Sequence, residues 1–217
     1  MYKKYFFAVF ISMLTTLGSI AQVLYIDSEN ASFINAAAFS PANDVICFFS
    51  GSAIMLYDIN KSEIDETTWY KLKGFDDIQA AVTWTNDQIL LFEKDSFRIF
   101  EVNTATFVGE KQRWSGLPEE WQNTIDAAVR WSEDEVMFFR NDDYLIYSFF
   151  EENYTVRGKC SEWDGWESRW ESGLDAVFTI DGEFFFLNEG GALQFSLQDG
   201  LFYETTSIGF EVPKENK

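Results

Sequence analysis

Carboxylates and tryptophans are the side chains in this sequence with chemistry to offer. The 217-residue chain carries 36 aspartates and glutamates against 16 lysines and arginines, and it has no histidine. Without histidine there is no base for a serine or cysteine nucleophile of the triad type, and no imidazole to ligate zinc. Two cysteines, Cys47 and Cys160, are too few for a structural zinc site. Glycine motifs that cradle phosphates or dinucleotides do not occur. Acidic pairs stand at Asp76-Asp77, Glu119-Glu120 and Glu151-Glu152. Paired carboxylates hydrolyse glycosides when held at a defined separation, but no spacing singles out one of these pairs, and they read as solvated surface. In "CSEWDGWESRWESGLD" the residues Trp163, Trp166 and Trp170 alternate with Glu162, Glu167 and Glu171. Their spacing lets Trp163 and Trp170 share one face of a short helix. Packed on a domain edge, such a face is core. Presented to solvent, it is an aromatic-acidic patch that holds a cation or a carbohydrate.

The net charge of −20 sets the partners. A field of that sign repels nucleic acid and anionic lipid, and it attracts cations, polyamines or basic proteins.

A repeated unit positions these groups. "INAAAF" begins at Ile34, "IQAAVTW" at Ile78, "IDAAVRW" at Ile125 and "LDAVF" at Leu174, in steps of 44, 47 and 49 residues. Downstream of each phrase an aromatic (Phe49, Phe92, Phe139, Phe186) is followed eight or nine residues later by another (Tyr57, Phe100, Tyr147, Phe195). Turn formers separate the two: Ser50-Gly51-Ser52, Lys94-Asp95-Ser96, Asn141-Asp142-Asp143 and Asn188-Glu189-Gly190-Gly191. The flanking runs are β-branched and aromatic, so each unit contains a hairpin. The alanine phrase adds a strand before it, and runs such as "YTVRGKC" add one after it. Four strands in each of four units, with no long helical period, predict an all-β, four-bladed β-propeller. The units fall at about 30–73, 74–120, 121–169 and 170–212, with short helices in the blade connectors. The alanines then lie on innermost strands, which crowd around an axis. The next apolar residue of each phrase (Ala38 with Phe39, Val82, Val129, Phe178) faces between blades, where aromatic rings fill the wedges.

The alanine phrase, the aromatic-turn-aromatic hairpin and the connector "WSGLP" (114–118), echoed in "KLKGF" (71–75) and "WDGW" (163–166), together resemble hemopexin-like repeats. The resemblance covers about residues 30–212. It implies a binding scaffold whose axial tunnel holds ions. By position, the resemblance places backbone carbonyls of Asn35, Gln79, Asp126 and Asp175 around a cation. A second ring follows at Ala37, Ala81, Ala128 and Val177. Calcium, or sodium with chloride, would be the tunnel ions; carbonyl oxygens suit hard cations. Asn35 and Gln79 stand where aspartate is usual and remove two negative charges from that ring. Haem binding in this family depends on histidines and is not carried over. Some plant seed albumins with four such repeats bind polyamines. The expected function is therefore a non-enzymatic protein that binds a protein or a small cationic ligand. A glycan-binding or glycan-hydrolysing site at the propeller mouth, or a structural or adhesion module, are the competing classes.

Residues 1–21 read as a cleavable leader. Lys3 and Lys4 precede an apolar run to Leu17, and Ser19 and Ala21 supply the small residues of a cleavage site before Gln22. A secreted or periplasmic protein with no membrane anchor is expected. Sequons stand at Asn30, Asn60 and Asn153. Cys47 and Cys160 belong to units one and three, opposite each other in a four-bladed ring, and are expected to be free thiols. The C-terminal run "LFYETTSIGFEV" should supply the last outer strand or cover a blade edge.

Overall fold

The computed structural model describes residues 6–11, 22–27, 34–59, 63–64, 70–113, 116–122, 124–188, 191–204 and 208–209. Four antiparallel sheets follow one another along the chain. Blade 1 runs Ala36–Ser40, Val45–Ser50 and Ala53–Asp58, and its outer strand is split into Glu63–Ile64 and Tyr70–Lys71, both paired with Ala53–Asp58. Blade 2 comprises Ala80–Thr83, Gln88–Glu93, Ser96–Glu101 and Thr106–Arg113. Blade 3 comprises Ala127–Arg130, Glu135–Arg140, Asp143–Ser148 and Asn153–Lys159. Blade 4 comprises Ala176–Ile180, Glu183–Asn188, Gly191–Ser196 and Leu201–Glu204, so the C-terminal run supplies the last outer strand.

Turn chemistry sets the hairpins. Ser50 pairs with Ala53, Glu93 with Ser96 and Arg140 with Asp143, leaving two-residue loops between the second and third strands. Such loops need a left-handed residue, and Gly51, Lys94 and Asn141 take it at φ +56°, +52° and +50°.

The alanine phrases form the innermost strands. Each touches the inner strands of both neighbouring blades, and even opposite inner strands approach within 8 Å between Cα atoms. Small side chains suit that spacing, and Ala36, Ala37, Ala80, Ala81, Ala127, Ala128 and Ala176 are all buried. Core packing divides into four clusters, one per blade interface. Ala37 meets Ala176 and Phe178 between blades 4 and 1. Ala36 and Ala38 meet Ala81 between blades 1 and 2. Ala80 and Val82 meet Ala128 between blades 2 and 3, and Ala127 and Val129 meet Val177 between blades 3 and 4. Alternate residues of one strand therefore serve opposite interfaces, which is why these strands are apolar on both faces. Ala38, Val82, Val129 and Phe178 all lie in interblade clusters, as the phrase predicts.

Among the described residues the connectors hold three 3-10 turns, Glu119–Trp121, Cys160–Glu162 and Ser168–Trp170. The helix face expected over 163–170 does not form. Gly165, at φ +88°, breaks the segment into two separate turns. Both cysteines are free and buried, Cys47 between blades 1 and 2 and Cys160 between blades 3 and 4. Burial raises both thiols far above their ordinary value, Cys160 to about 12 with help from Asp142 and Asp143, so both behave as small apolar residues.

Most of the expected leader lies outside the described residues. Phe6–Ile11 is a strand paired with Gln22–Asp27 and Ile208–Gly209. Asn30 and Asn60 also lie outside them, whereas Asn153 is exposed at the start of the outer strand of blade 3. Among the described residues no helix is long and apolar enough to cross a membrane.

Candidate functional site

Two places gather the residues singled out in the sequence, the starts of the inner strands and one blade interface. At the starts of the inner strands, the N–H groups of Asn35, Gln79, Asp126 and Asp175 donate to the carbonyls of Phe49, Phe92, Phe139 and Leu187 at 2.8–2.9 Å. The next residue in each case, Ala36, Ala80, Ala127 or Ala176, is the one registered opposite that same partner. Two residues thus face one, a bulge at the mouth of every inner strand. Side chains at this position have a further task that the sequence did not reveal. The Asn35 Oδ1 accepts from the Gly51 N–H at 2.8 Å, and the Gln79 Oε1 accepts from the Lys94 N–H at 2.8 Å. Asp126 accepts from Asn141 in the same way. Each oxygen caps the left-handed residue of its own blade's hairpin. An acceptor is what the position requires, and an amide serves as well as a carboxylate. Burial raises the Asp126 carboxyl above its ordinary value, and the neighbouring Asp175 adds to the rise, against the Asn141 amide and Arg140. The side chains of Ala37, Ala81, Ala128 and Val177 pack between blades, each 1 % exposed.

Off the axis, a cleft of about 560 Å³ opens between blades 3 and 4. Trp131, Tyr144 and Trp163 form one wall, and Phe184, Phe195 and Phe202 form the other. Trp163 stacks on Phe202 with ring centroids 6.3 Å apart, and Tyr144 lies 5.0 Å from Trp163. Two glycines make room for this arrangement. A Cβ on Gly158 would lie 2.7 Å from the Tyr144 hydroxyl, and one on Gly165 would lie 3.3 Å from the Phe202 ring. Asp164 is the charged residue of the lining. A volume of this size with mainly aromatic walls and a few polar groups is typical of small-molecule sites. Of the three tryptophans marked in the sequence, Trp163 lines the cleft, whereas Trp166 and Trp170 are buried behind it. Trp131 carried no signal in the sequence beyond its place after an alanine phrase.

A smaller charged hollow lies at blade 2, where Glu93 is the buried charged member. Its Oε1 accepts from the N–H groups of Asp76 and Asp77 at 2.8 and 3.2 Å, and Lys111 pairs with Oε2. Corresponding residues tie the other connectors to their blades: Arg140 donates to the Glu120 carbonyl, and Asn188 to that of Arg169. The Glu93 contacts are therefore structural. Burial pushes its carboxyl up, but Lys111 and the two amides outweigh this and hold it below its ordinary value. A carboxylate lowered in the folded state stabilises at and above its unfolded pKa, and that contribution is lost as pH falls through the folded value. The expected result is a melting-temperature gap between wild type and Glu93→Gln that is present at pH 7 and closes in acid. A gap that is constant with pH would show that the carboxylate charge is not what holds this connector.

No protein-family model matches the chain, and no curated protein sequence does. Solved structures do match. The chain is similar to a 2S albumin seed protein from Dolichos, at 16 % identity over 81 % of this chain and 92 % of that one, with a TM-score of 0.63. It is similar to the hemopexin fold protein CP4 from cow pea, at 15 % identity over 80 % and 93 %, TM-score 0.59. A plant lectin with two metal binding sites from Cicer arietinum aligns at 16 % identity over 83 % and 93 %, TM-score 0.57. At these identities the likeness is one of fold. The chain has the hemopexin fold, a single propeller of four blades.

Proposed function

We propose that this protein is a secreted, non-enzymatic binding propeller that holds a small organic cation, such as a polyamine, in the cleft between blades 3 and 4. The aromatic cleft carries this proposal. Ring faces attract cations, Asp164 stands in the lining, and the net charge of −20 concentrates cations around the whole surface. No catalytic histidine exists to turn the cleft into a triad site. A glycan is the second candidate ligand, because sugars also lie on aromatic faces and one protein of this fold is described as a lectin.

On the axis, the carbonyls of Asn35, Gln79, Asp126 and Asp175, with Ala37, Ala81, Ala128 and Val177 behind them, are proposed to hold calcium, or sodium with chloride. The approach of opposite inner strands, which begin one residue after these four, to within 8 Å supports this by drawing all four blades toward one centre. Such an ion would take those four peptide oxygens as ligands, and it would stabilise the ring without taking part in any reaction.

One calorimetric and melting series tests both sites. Spermidine should bind saturably, more weakly in high salt. EDTA should lower the melting temperature and added calcium restore it, because a ligand of the folded state alone stabilises by mass action. Saturable binding of a neutral oligosaccharide with none of spermidine would transfer the cleft to the glycan class. An unchanged melting temperature in EDTA would remove calcium from the axis.

A further inference from the structure

The cleft is a vacated copy of a socket that the other interfaces fill. Between blades 2 and 3, Trp84 follows the inner strand of blade 2, and Phe149 follows the third strand of blade 3. Their rings meet edge to face at 5.1 Å. Arg130, from the inner strand of blade 3, sets its guanidinium 5.4 Å from the Trp84 ring centre and donates to the Trp84 carbonyl. One indole is thus covered by a phenyl ring and a cation, both supplied by the next blade. The same pair of positions is closed by Ile180 and Ile59 between blades 4 and 1, and by buried Ser40 and Val102 between blades 1 and 2.

Between blades 3 and 4 the matching residues are Trp131, Leu197 and Thr179. Trp131 is again an indole, yet it is 42 % exposed. Leu197, at the place of Phe149, is 51 % exposed and does not line the cleft. Thr179, at the place of Arg130, is too short to cover the indole. Neither Trp131 nor Leu197 belongs to the buried cluster of this interface. No phenyl ring stands at the place of Phe149 and no guanidinium at the place of Arg130; Phe184 lies 6.0 Å from the Trp131 ring but leaves it 42 % exposed at the cleft.

We infer that the cleft takes an aryl cation, an arylalkylamine or aryl guanidine, whose ring and charge occupy beside Trp131 the places that Phe149 and Arg130 occupy beside Trp84. This rests on the cleft being the ligand site and narrows its ligand class. An aliphatic polyamine fills only the cationic place, and a neutral arene only the aromatic one. Charge complementarity agrees, with Asp164 in the lining.

Isothermal titration of the exported protein with phenethylamine, spermidine and 2-phenylethanol tests the inference. Phenethylamine should bind about tenfold or more tightly than either comparator, since each lacks one of the two interactions. Trp131→Ala should weaken it at least about tenfold, and Thr179→Arg should do the same by filling the cationic place. Circular dichroism and melting temperature verify folding; if Thr179→Arg misfolds, Trp131→Ala decides. Spermidine or 2-phenylethanol binding as tightly as phenethylamine, with Trp131→Ala still weakening it, overturns the aryl-cation class while the cleft remains the site. Phenethylamine binding unaffected by Trp131→Ala places the site elsewhere and overturns the inference. If none of the three binds, the cleft is not a cation site and the function proposed above falls first.

Discussion

Gly116→Ala should leave little folded protein to recover. Gly116 lies in the connector between blades 2 and 3 with φ +81°. A Cβ there would overlap the Glu152 carbonyl oxygen and lie 2.9 Å from the Asn153 Cα. Both are backbone atoms in the turn that opens the outer strand of blade 3, so no rotamer change relieves the overlap. A non-glycine residue in the left-handed region costs about 1–2 kcal/mol by itself. Separating two backbones adds several more, of the order of the whole stability of an ordinary domain, ~5–15 kcal/mol. Gly109→Ala is the control. It has φ +73° but nothing within 4 Å of its Cβ, so only the conformational cost applies. At roughly 2–4 °C per kcal/mol for a chain of this size, Gly109→Ala should lower the melting temperature by a few degrees. Gly116→Ala should lower it by about 10 °C or more, or yield insoluble protein. Equal effects of the two variants would mean that the connector does not press on blade 3.

The same glycine shows what a sequence of this kind makes legible. Gly74, Gly116 and Gly165 recur in the three connector phrases, and all three adopt positive φ, at +95°, +81° and +88°. Local chemistry that must repeat in every blade leaves a repeated mark, so the alanine phrases, the hairpin turns and the connectors all match from unit to unit. Features that differ between blades leave none. The role of Asn35 and Gln79 looked like lost charge, because their turn partners lie 16 and 15 residues away and no spacing rule links them. Trp163 and Trp170 looked like one helix face, because spacing favours it, but Gly165 and the pull of the interblade core bend the segment into two turns. The cleft depends on comparing Trp84 with Trp131 and Phe149 with Leu197. That comparison has meaning only once it is known which residue of one blade faces which residue of the next. The split outer strand of blade 1 was equally silent.

Ala128→Phe should be nearly as damaging as Gly116→Ala, for a different reason. Ala128 is 1 % exposed and packs with Ala80, Phe92 and Phe138 between blades 2 and 3. Phe92 and Phe138 already meet edge to face at 5.3 Å. Overpacking a core costs about 1–3 kcal/mol where neighbours can shift. Here they cannot, since the inner strand of blade 3 lies between those of blades 2 and 4 and within 8 Å of that of blade 1. Moving it outward on one side drives it into another blade. The loss should reach ~3 kcal/mol or more, roughly 6–12 °C in melting temperature. It should also exceed the effect of EDTA, which removes only the stabilisation that one bound ion supplies. Ala128→Val provides the graded comparison. Blade 4 carries Val177 at this position and buries it to the same 1 %, so one extra branch is compatible with the ring. The valine variant should lose much less than the phenylalanine variant. If Ala128→Phe melts with the wild type, the inner strands do not converge on a common axis, and the carbonyl ring proposed for Asn35, Gln79, Asp126 and Asp175 has no centre to surround.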